Sequence, residues 1–229
     1  MAETAPHAVV TGVSSGIGAA VTARLLDAGW RVTGLSRSAP APRDGLAWVA
    51  ADLAGPAAVA GAVAGTGPVD AVVHAAGLQR TAPLGALDAE AGDLMWRVHV
   101  AAAAELAGAL LDRIPDGGRI VLVGSRTAGG SPGKSQYAAT KAALEAMARS
   151  WAAELAARRI TVNVVAPGPT ETPMLADPGR SGTPPLLPPL GRRVRPEEVA
   201  ALVELLVGPD GGAITGQTLT VCAGASLPR

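Results

Sequence analysis

The sequence predicts an α/β fold, a doubly wound, seven-stranded parallel sheet with helices on both faces. Two observations carry this. Short runs rich in Val, Ile, Leu and Ala alternate along the chain with longer stretches of helical periodicity. Elements that alternate in this way build a parallel sheet covered on both sides. A glycine-rich turn also joins the first apolar run to the first helical stretch, where such a sheet leaves room for an anion at a helix N-terminus.

Composition sets the limits. Of 229 residues, 48% are hydrophobic, enough for a core without covalent staples. There is no Phe and aromatic residues are 2%, so that core must be aliphatic. No linker-like stretch interrupts the alternation, and one domain over 1–229 is expected. A net charge of zero argues against nucleic acid as a partner. Cys222 is the lone cysteine, and His7, His74 and His99 are scattered, so no disulfide and no metal site is expected. No uncharged apolar run approaches about 18 residues, which argues against a membrane span. The N-terminus lacks a basic segment followed by an apolar one, so no signal peptide is visible and a cytoplasmic protein is expected.

In chain order, residues 7–11 read as a buried strand running into Gly12-Val13-Ser14-Ser15-Gly16-Ile17-Gly18, with a helix over 19–28. The second strand spans 31–35. Its end carries Ser36-Arg37-Ser38 and no acid. In a dinucleotide-binding sheet an acid there holds the ribose 2′-hydroxyl, whereas a hydroxyl and a guanidinium suit a 2′-phosphate. That favours NADP(H) over NAD(H), with Arg43 placed to assist. The third strand is 46–50, closed by Asp52-Leu53, and a weak helix follows over 56–64. The fourth strand, 69–74, ends in Ala75-Ala76-Gly77, and a long helix covers 88–113. The fifth strand, 119–124, places Ser125 at its carboxyl end.

The helix over 135–157 carries the most specific signal. Tyr137 is the only tyrosine, and Lys141, one of two lysines, follows four residues later on the same helix face. A free phenol, with a pKa near 10, is a poor acid at neutral pH; a neighbouring ammonium lowers that value and makes the pair a proton donor and acceptor. The sixth strand is 160–166, residues 167–195 form a loop crowded with Pro and Gly, Pro196 opens a helix, and a last strand covers 217–222. Gly12, Ser36, Ala75, Ser125 and Pro167 thus fall at the carboxyl ends of five strands, where parallel sheets bind ligands.

With these residues in place, nearly the whole chain resembles a short-chain dehydrogenase/reductase of the compact type. Thr11 to Gly18 is similar to the family's TGxxxGxG, Asp52-Leu53 to its acid–aliphatic pair, and Ala75-Ala76-Gly77 to its Asn-Ala-Gly. Ser125, Tyr137 and Lys141 resemble its Ser and YxxxK, and Pro167-Gly168 with Thr170 and Thr172 its PGxxxT turn. The resemblance implies a Rossmann-type fold. It further implies that Gly12, Ser14, Ser15, Gly16, Ile17, Gly18, Ser36, Arg37, Asp52, Leu53, Ala75, Ala76 and Gly77 bind the cofactor. Tyr137, Lys141, Pro167, Gly168, Thr170 and Thr172 complete that set. Tyr137 is the implied acid–base, Lys141 its partner and ribose ligand, and Ser125 the residue that orients the substrate oxygen.

Two departures stand out. The family carries an Asn on the long helix that orders a relay water; here Val98-His99-Val100 occupies that place, and the only Asn is Asn163. His99 is expected to take over the relay, because an imidazole can hold the same water. The stretch between Pro173 and Pro196, a helical lid in relatives, is short, and Pro184-Pro185 and Pro188-Pro189 disfavour helix. Met174, Leu175, Leu186 and Leu187 are the apolar residues that can cover a ligand, and Arg80 and Arg126 the cations that can meet an anionic one. The function expected is reduction of a ketone or aldehyde, or the reverse, on a small molecule by a homodimer or homotetramer. Alternatives are a 3-oxoacyl-thioester reductase and, in a different class, a non-catalytic dinucleotide sensor or scaffold.

Overall fold

The computed structural model describes residues 5–55, 58–180 and 186–228. Seven parallel strands form one sheet: β1 (His7–Thr11), β2 (Arg31–Ser36), β3 (Leu46–Ala50), β4 (Ala71–His74), β5 (Arg119–Val123), β6 (Thr161–Pro167) and β7 (Thr218–Val221). Their order is β3-β2-β1-β4-β5-β6-β7, so the winding reverses between β1 and β4. Such a switch point opens a crevice at the strands' carboxyl ends.

Neighbouring residues on one strand serve opposite faces. Val9 and Val72 point into a core shared with α2 (Ala58–Val63), α4 (Ala102–Leu110) and α5 (Ser135–Leu155), where Leu106, Leu110 and Leu144 are fully buried. Val10 and Val73 point the other way, against α1 (Gly16–Asp27) and α6 (Pro196–Val207), meeting Val21, Leu25, Val203 and Leu206. Each such aliphatic side chain contributes about 1.5–3 kcal/mol on burial, which makes aromatic residues dispensable. At α6, Pro196 opens the helix and Glu198 reaches back to accept the Arg195 N–H at 2.8 Å, holding the first turn.

The long helix is not continuous. α3 (Ala89–Trp96) passes into a π-helical turn, Arg97–Ala101, before α4 resumes, and the Ala102 N–H bonds to the Arg97 carbonyl, five residues back. Val98 and His99 sit in this turn. By length and composition the run Ala89–Arg113 would suffice to cross a bilayer, where no span was expected from the sequence. Ala102, Ala103, Leu106 and Leu110 instead pack in the core beside the sheet.

Pro173–Ala176 and Pro178–Arg180 form short 3₁₀ turns, and Pro188-Pro189 lies outside any helix. Pro184-Pro185 lies outside the described residues.

Candidate active site

The carboxyl ends of the strands open into a cleft of about 860 Å³. Its floor is the turn between β1 and α1. Gly12, with φ of 77°, bonds through its N–H to the Leu35 carbonyl at 2.7 Å. A Cβ on Gly18 would stand 2.2 Å from the Gly12 carbonyl oxygen, so only glycine lets helix and strand meet here. Ser15 caps α1 by its backbone alone, leaving the helix's first N–H groups and the exposed Ser14 and Ser15 hydroxyls facing the cleft. A methyl at Gly16 would lie 3.1 Å from the Thr172 side chain, which brings the far loop onto the same turn. A backbone-lined cradle at a helix N-terminus fits a pyrophosphate. Ile17 lines it as well.

At the end of β2, the buried Ser36 hydroxyl donates to the Ser38 carbonyl at 2.7 Å and accepts the Trp48 indole N–H at 3.0 Å. Arg37 is exposed on the cleft rim with no ion pair among the described residues. Arg43, expected to assist, is instead held by Asp27 at 2.6 Å and by the Ala23 carbonyl. Asp52 accepts the Ala54 N–H at 3.1 Å on the rim, while Leu53 is buried. Ala75, Ala76 and Gly77 form the opposite wall. Pro167, Gly168 and Thr170 close the far side, where the Thr170 hydroxyl donates to the Gly168 carbonyl at 2.9 Å. A Cβ on Gly168 would come within 2.7 Å of Cys222 Cα, so the backbone just after β7 demands glycine there.

Ser125 follows β5. Its oxygen accepts the Thr127 N–H at 3.2 Å and shares a 2.8 Å hydrogen bond with the Thr127 hydroxyl. Tyr137 and Lys141, on successive turns of α5, are buried at 8% and 4% exposure. Lys141 Nζ donates to the Val123 carbonyl at 2.9 Å and lies 5.8 Å from the phenol ring centroid. Burial pulls the Lys141 ammonium down to about 7. Burial raises the phenol, and the Ser125 hydroxyl and the Arg180 guanidinium partly offset that rise. The lowering expected from Lys141 is not among these causes, and the phenol lies above its ordinary value because burial dominates. The ring is dry, and its amine neighbour is itself close to half-neutral at pH 7.

A family profile described as Enoyl-(Acyl carrier protein) reductase matches residues 12–226. The chain is 34% identical to the cyclic-di-GMP-binding biofilm dispersal mediator protein of Escherichia coli, over 93% of this chain and 94% of that protein. The 3-oxoacyl-acyl-carrier-protein reductase FabG of Vibrio cholerae is also 34% identical, over 95% of this chain and 96% of that one. Among solved structures, a blue fluorescent protein from a metagenomic library, in complex with NADPH, superposes with a TM-score of 0.86 at 36% identity, over 96% of this chain and 98% of that one. The chain belongs to the short-chain dehydrogenase/reductase family. It is an oxidoreductase with a nucleotide cofactor site.

Ala75 and His99 depart from the motifs of the short-chain dehydrogenase/reductase family, and each sits in a local hydrogen-bond network. At Ala75, Thr11 Oγ1 accepts the N–H groups of Ala75 at 3.1 Å and Ala76 at 3.0 Å. Its own proton goes to His74 Nδ1 at 3.0 Å, and His74 Nε2 donates to the Val98 carbonyl at 3.1 Å. A carbonyl only accepts, which fixes this tautomer. Thr11 and His74 brace this wall.

His99 is fully buried, with its ring edge-on to Tyr137 at 5.6 Å between centroids. Nε2 accepts the Leu78 N–H at 3.1 Å. Nδ1 donates to the Thr140 hydroxyl at 2.8 Å, because that hydroxyl gives its own proton to the Tyr137 carbonyl at 2.8 Å. Both ring nitrogens are engaged, so the expected relay water has no place on this side chain. His99 instead ties the loop after β4 to the first turns of α5.

Gln79 and Arg180 were not among the site residues expected from the sequence, although both lie in loops expected to wall the pocket. Both are buried in the cleft wall, at 4% and 8% exposure. Each lies in a loop without periodicity, so no pattern marks it. Met174, Leu175 and Leu186 line the cleft, whereas Leu187, at 59% exposure, does not. Among the described residues no group of three His, Cys, Asp or Glu is placed to hold a metal.

Burial holds His74 near 3 and pushes His99 well below its usual value. Unfolded histidines titrate near 6.5, so the unfolded chain takes up protons that the native state refuses as pH falls from about 6.5 toward 3. Stability is therefore lost across that window. Thermal midpoints between pH 7.5 and 5 will show the loss, and His99→Asn will flatten part of it.

Proposed function

We propose that one domain, over 1–229, binds NADP(H) and a small carbonyl or alcohol substrate and catalyses their interconversion. The observation that supports this best is the burial of Tyr137 and Lys141 on adjacent turns beside Ser125, at the mouth of a glycine-lined nucleotide cradle. When bound, the nicotinamide supplies or accepts the hydride. Ser125 keeps its proton for the substrate oxygen when the Thr127 hydroxyl donates to it. Tyr137 then transfers a proton to or from that oxygen. With a value of about 7, Lys141 can reload the phenol at neutral pH. The lysine and Thr172 hold the nicotinamide half, Gly12 to Gly18 the pyrophosphate, and Asp52 and Leu53 the adenine end. His99 has a positioning role.

The preference for NADP(H) rests on Arg37. Ser36 is committed to two partners, which leaves the Arg37 guanidinium as the charged group available to a 2′-phosphate. Arg37→Ala is expected to raise the KM for NADPH by on the order of ten- to hundredfold, the worth of a charge-assisted hydrogen bond, and to leave that for NADH nearly unchanged. Steady-state assays with both nucleotides check this. Similarity to the Vibrio cholerae reductase favours a second reading, a 3-oxoacyl-thioester substrate, so the carbonyl panel should contain such thioesters alongside ketones and quinones. The proposal includes a cytoplasmic location and a homodimer or homotetramer formed through α4 and α5; light scattering tests the latter. Bound NADPH without turnover on the whole panel would favour a sensor.

A further inference from the structure

The cleft wall beside Ser125 and Tyr137 carries three cations that neither transfer the proton nor hold the nucleotide in the reading above. Arg126 directly follows Ser125, Lys134 precedes Tyr137 at the start of α5, and Arg180 comes in from the loop after β6; all three line the cleft. Arg180 is 8% exposed, and its only side-chain hydrogen bond among the described residues is to the Met174 carbonyl at 3.2 Å. The Nε groups of both Arg180 and Arg126 are buried with no partner among the described residues. None of the three cations joins an ion pair among those residues.

A guanidinium withdrawn from water normally finds a carboxylate or spends its donors on carbonyls. Asp177, whose charge acts on Arg180, has both oxygens engaged elsewhere: one accepts from Arg80 at 2.9 Å and the other from the Gly179 N–H at 2.8 Å. That pair also removes Arg80 from the role expected of it. Burial lowers the Arg180 guanidinium, Tyr137 and Asp177 oppose that and Arg193 adds to it; burial and then repulsion from Arg180 and Arg126 lower the Lys134 ammonium. Residues 181–185 contain no acidic side chain. The wall therefore holds an unmet demand for negative charge next to the reacting hydroxyls.

We infer that the substrate bears a carboxylate or phosphate that seats among Arg180, Arg126 and Lys134 while its carbonyl or carbinol meets Ser125 and Tyr137. This rests on the hydride-transfer reading for the word substrate, but the anion site stands on its own geometry. Arg180 is the centre of the site because it is the most buried of the three. Guanidinium groups bind either anion through paired N–H donors.

Calorimetric titration of the NADPH-saturated protein with benzoate, phenyl phosphate and neutral benzamide tests this without turnover. At least one anion is expected to bind ten- to hundredfold more tightly than benzamide, the order expected for hydrogen bonds to charged groups. Arg180→Gln is expected to remove that difference. Which anion binds better identifies the substrate's charged group. If Arg180→Gln does not fold, the Arg126→Gln, Lys134→Gln double variant carries the same comparison. Equal or absent binding of the three probes, or discrimination that survives the substitutions, overturns the inference. Failure of the carbonyl panel alone would instead sink the hydride-transfer reading.

Discussion

Tyr137→Phe is expected to lower kcat for carbonyl reduction by about 10²- to 10⁴-fold, the usual worth of a positioned acid–base. The ring stays in place, because its packing against His99 does not involve the hydroxyl. NADPH binding should therefore survive within about threefold, a loss confined to kcat being the signature of a group that acts in the transition state. The phenol is raised by burial in the protein alone, so the hydroxyl is protonated at neutral pH and poised as an acid toward a carbonyl. In the reverse direction it must lose that proton first. Alcohol oxidation is thus expected to climb with pH over a range where reduction declines, and kcat against pH in both directions will show it.

Lys141→Met is expected to remove most activity, by about a hundredfold or more, since the phenol then has no buried proton source. Its effect on stability is the more discriminating test. The folded value for Lys141 is about 7, against 10.5 when exposed, and burial is the cause. Below about pH 7 both states carry the charge, and the native state bears the whole cost of burying it. Between about 7 and 10.5 the unfolded chain holds a proton that the native state has shed, so native stability rises with pH. Each pKa unit corresponds to about 1.4 kcal/mol, so the total is several kcal/mol in order of magnitude. Met fills similar space without charge, and its lost bond to the Val123 carbonyl does not depend on pH. In the nucleotide-free protein, the variant's stability relative to wild type is therefore greatest near pH 6 and falls steadily toward pH 10. Urea midpoints at several pH values measure this. A constant difference would mean that Lys141 stays charged when folded.

Much of the architecture was legible because apolar periodicity and glycine report directly on backbone. Strands His7–Thr11 and Leu46–Ala50 fall where the pattern places them, and Gly12 and Gly18 mark a turn that no other residue can make. Boundaries blurred where a residue is buried but unpaired with the sheet. Val69 is apolar and enclosed, yet its N–H bonds to the Arg113 carbonyl at 3.0 Å, so β4 starts later than predicted. The π turn at Arg97–Ala101 leaves helical spacing intact on either side and has no signature in composition.

The site was legible wherever spacing along one element sets it, as with Tyr137 and Lys141. It was hidden where partners come from distant segments. His99 meets Leu78 and Thr140, which are 21 and 41 residues away in sequence, and these contacts turn an expected relay into a brace. The direction of the phenol's shift was hidden for a related reason. It depends on how completely folding dries Tyr137 and Lys141, and a spacing of four residues says nothing of that.

The most direct measurement is product analysis after reduction of an accepted carbonyl with NADPH carrying deuterium at both nicotinamide C4 positions. The account predicts one deuterium on the carbinol carbon of the alcohol made by the wild-type protein, and no comparable product from Tyr137→Phe. Alcohol without label, or a Tyr137→Phe variant that forms labelled product at the wild-type rate, would contradict it.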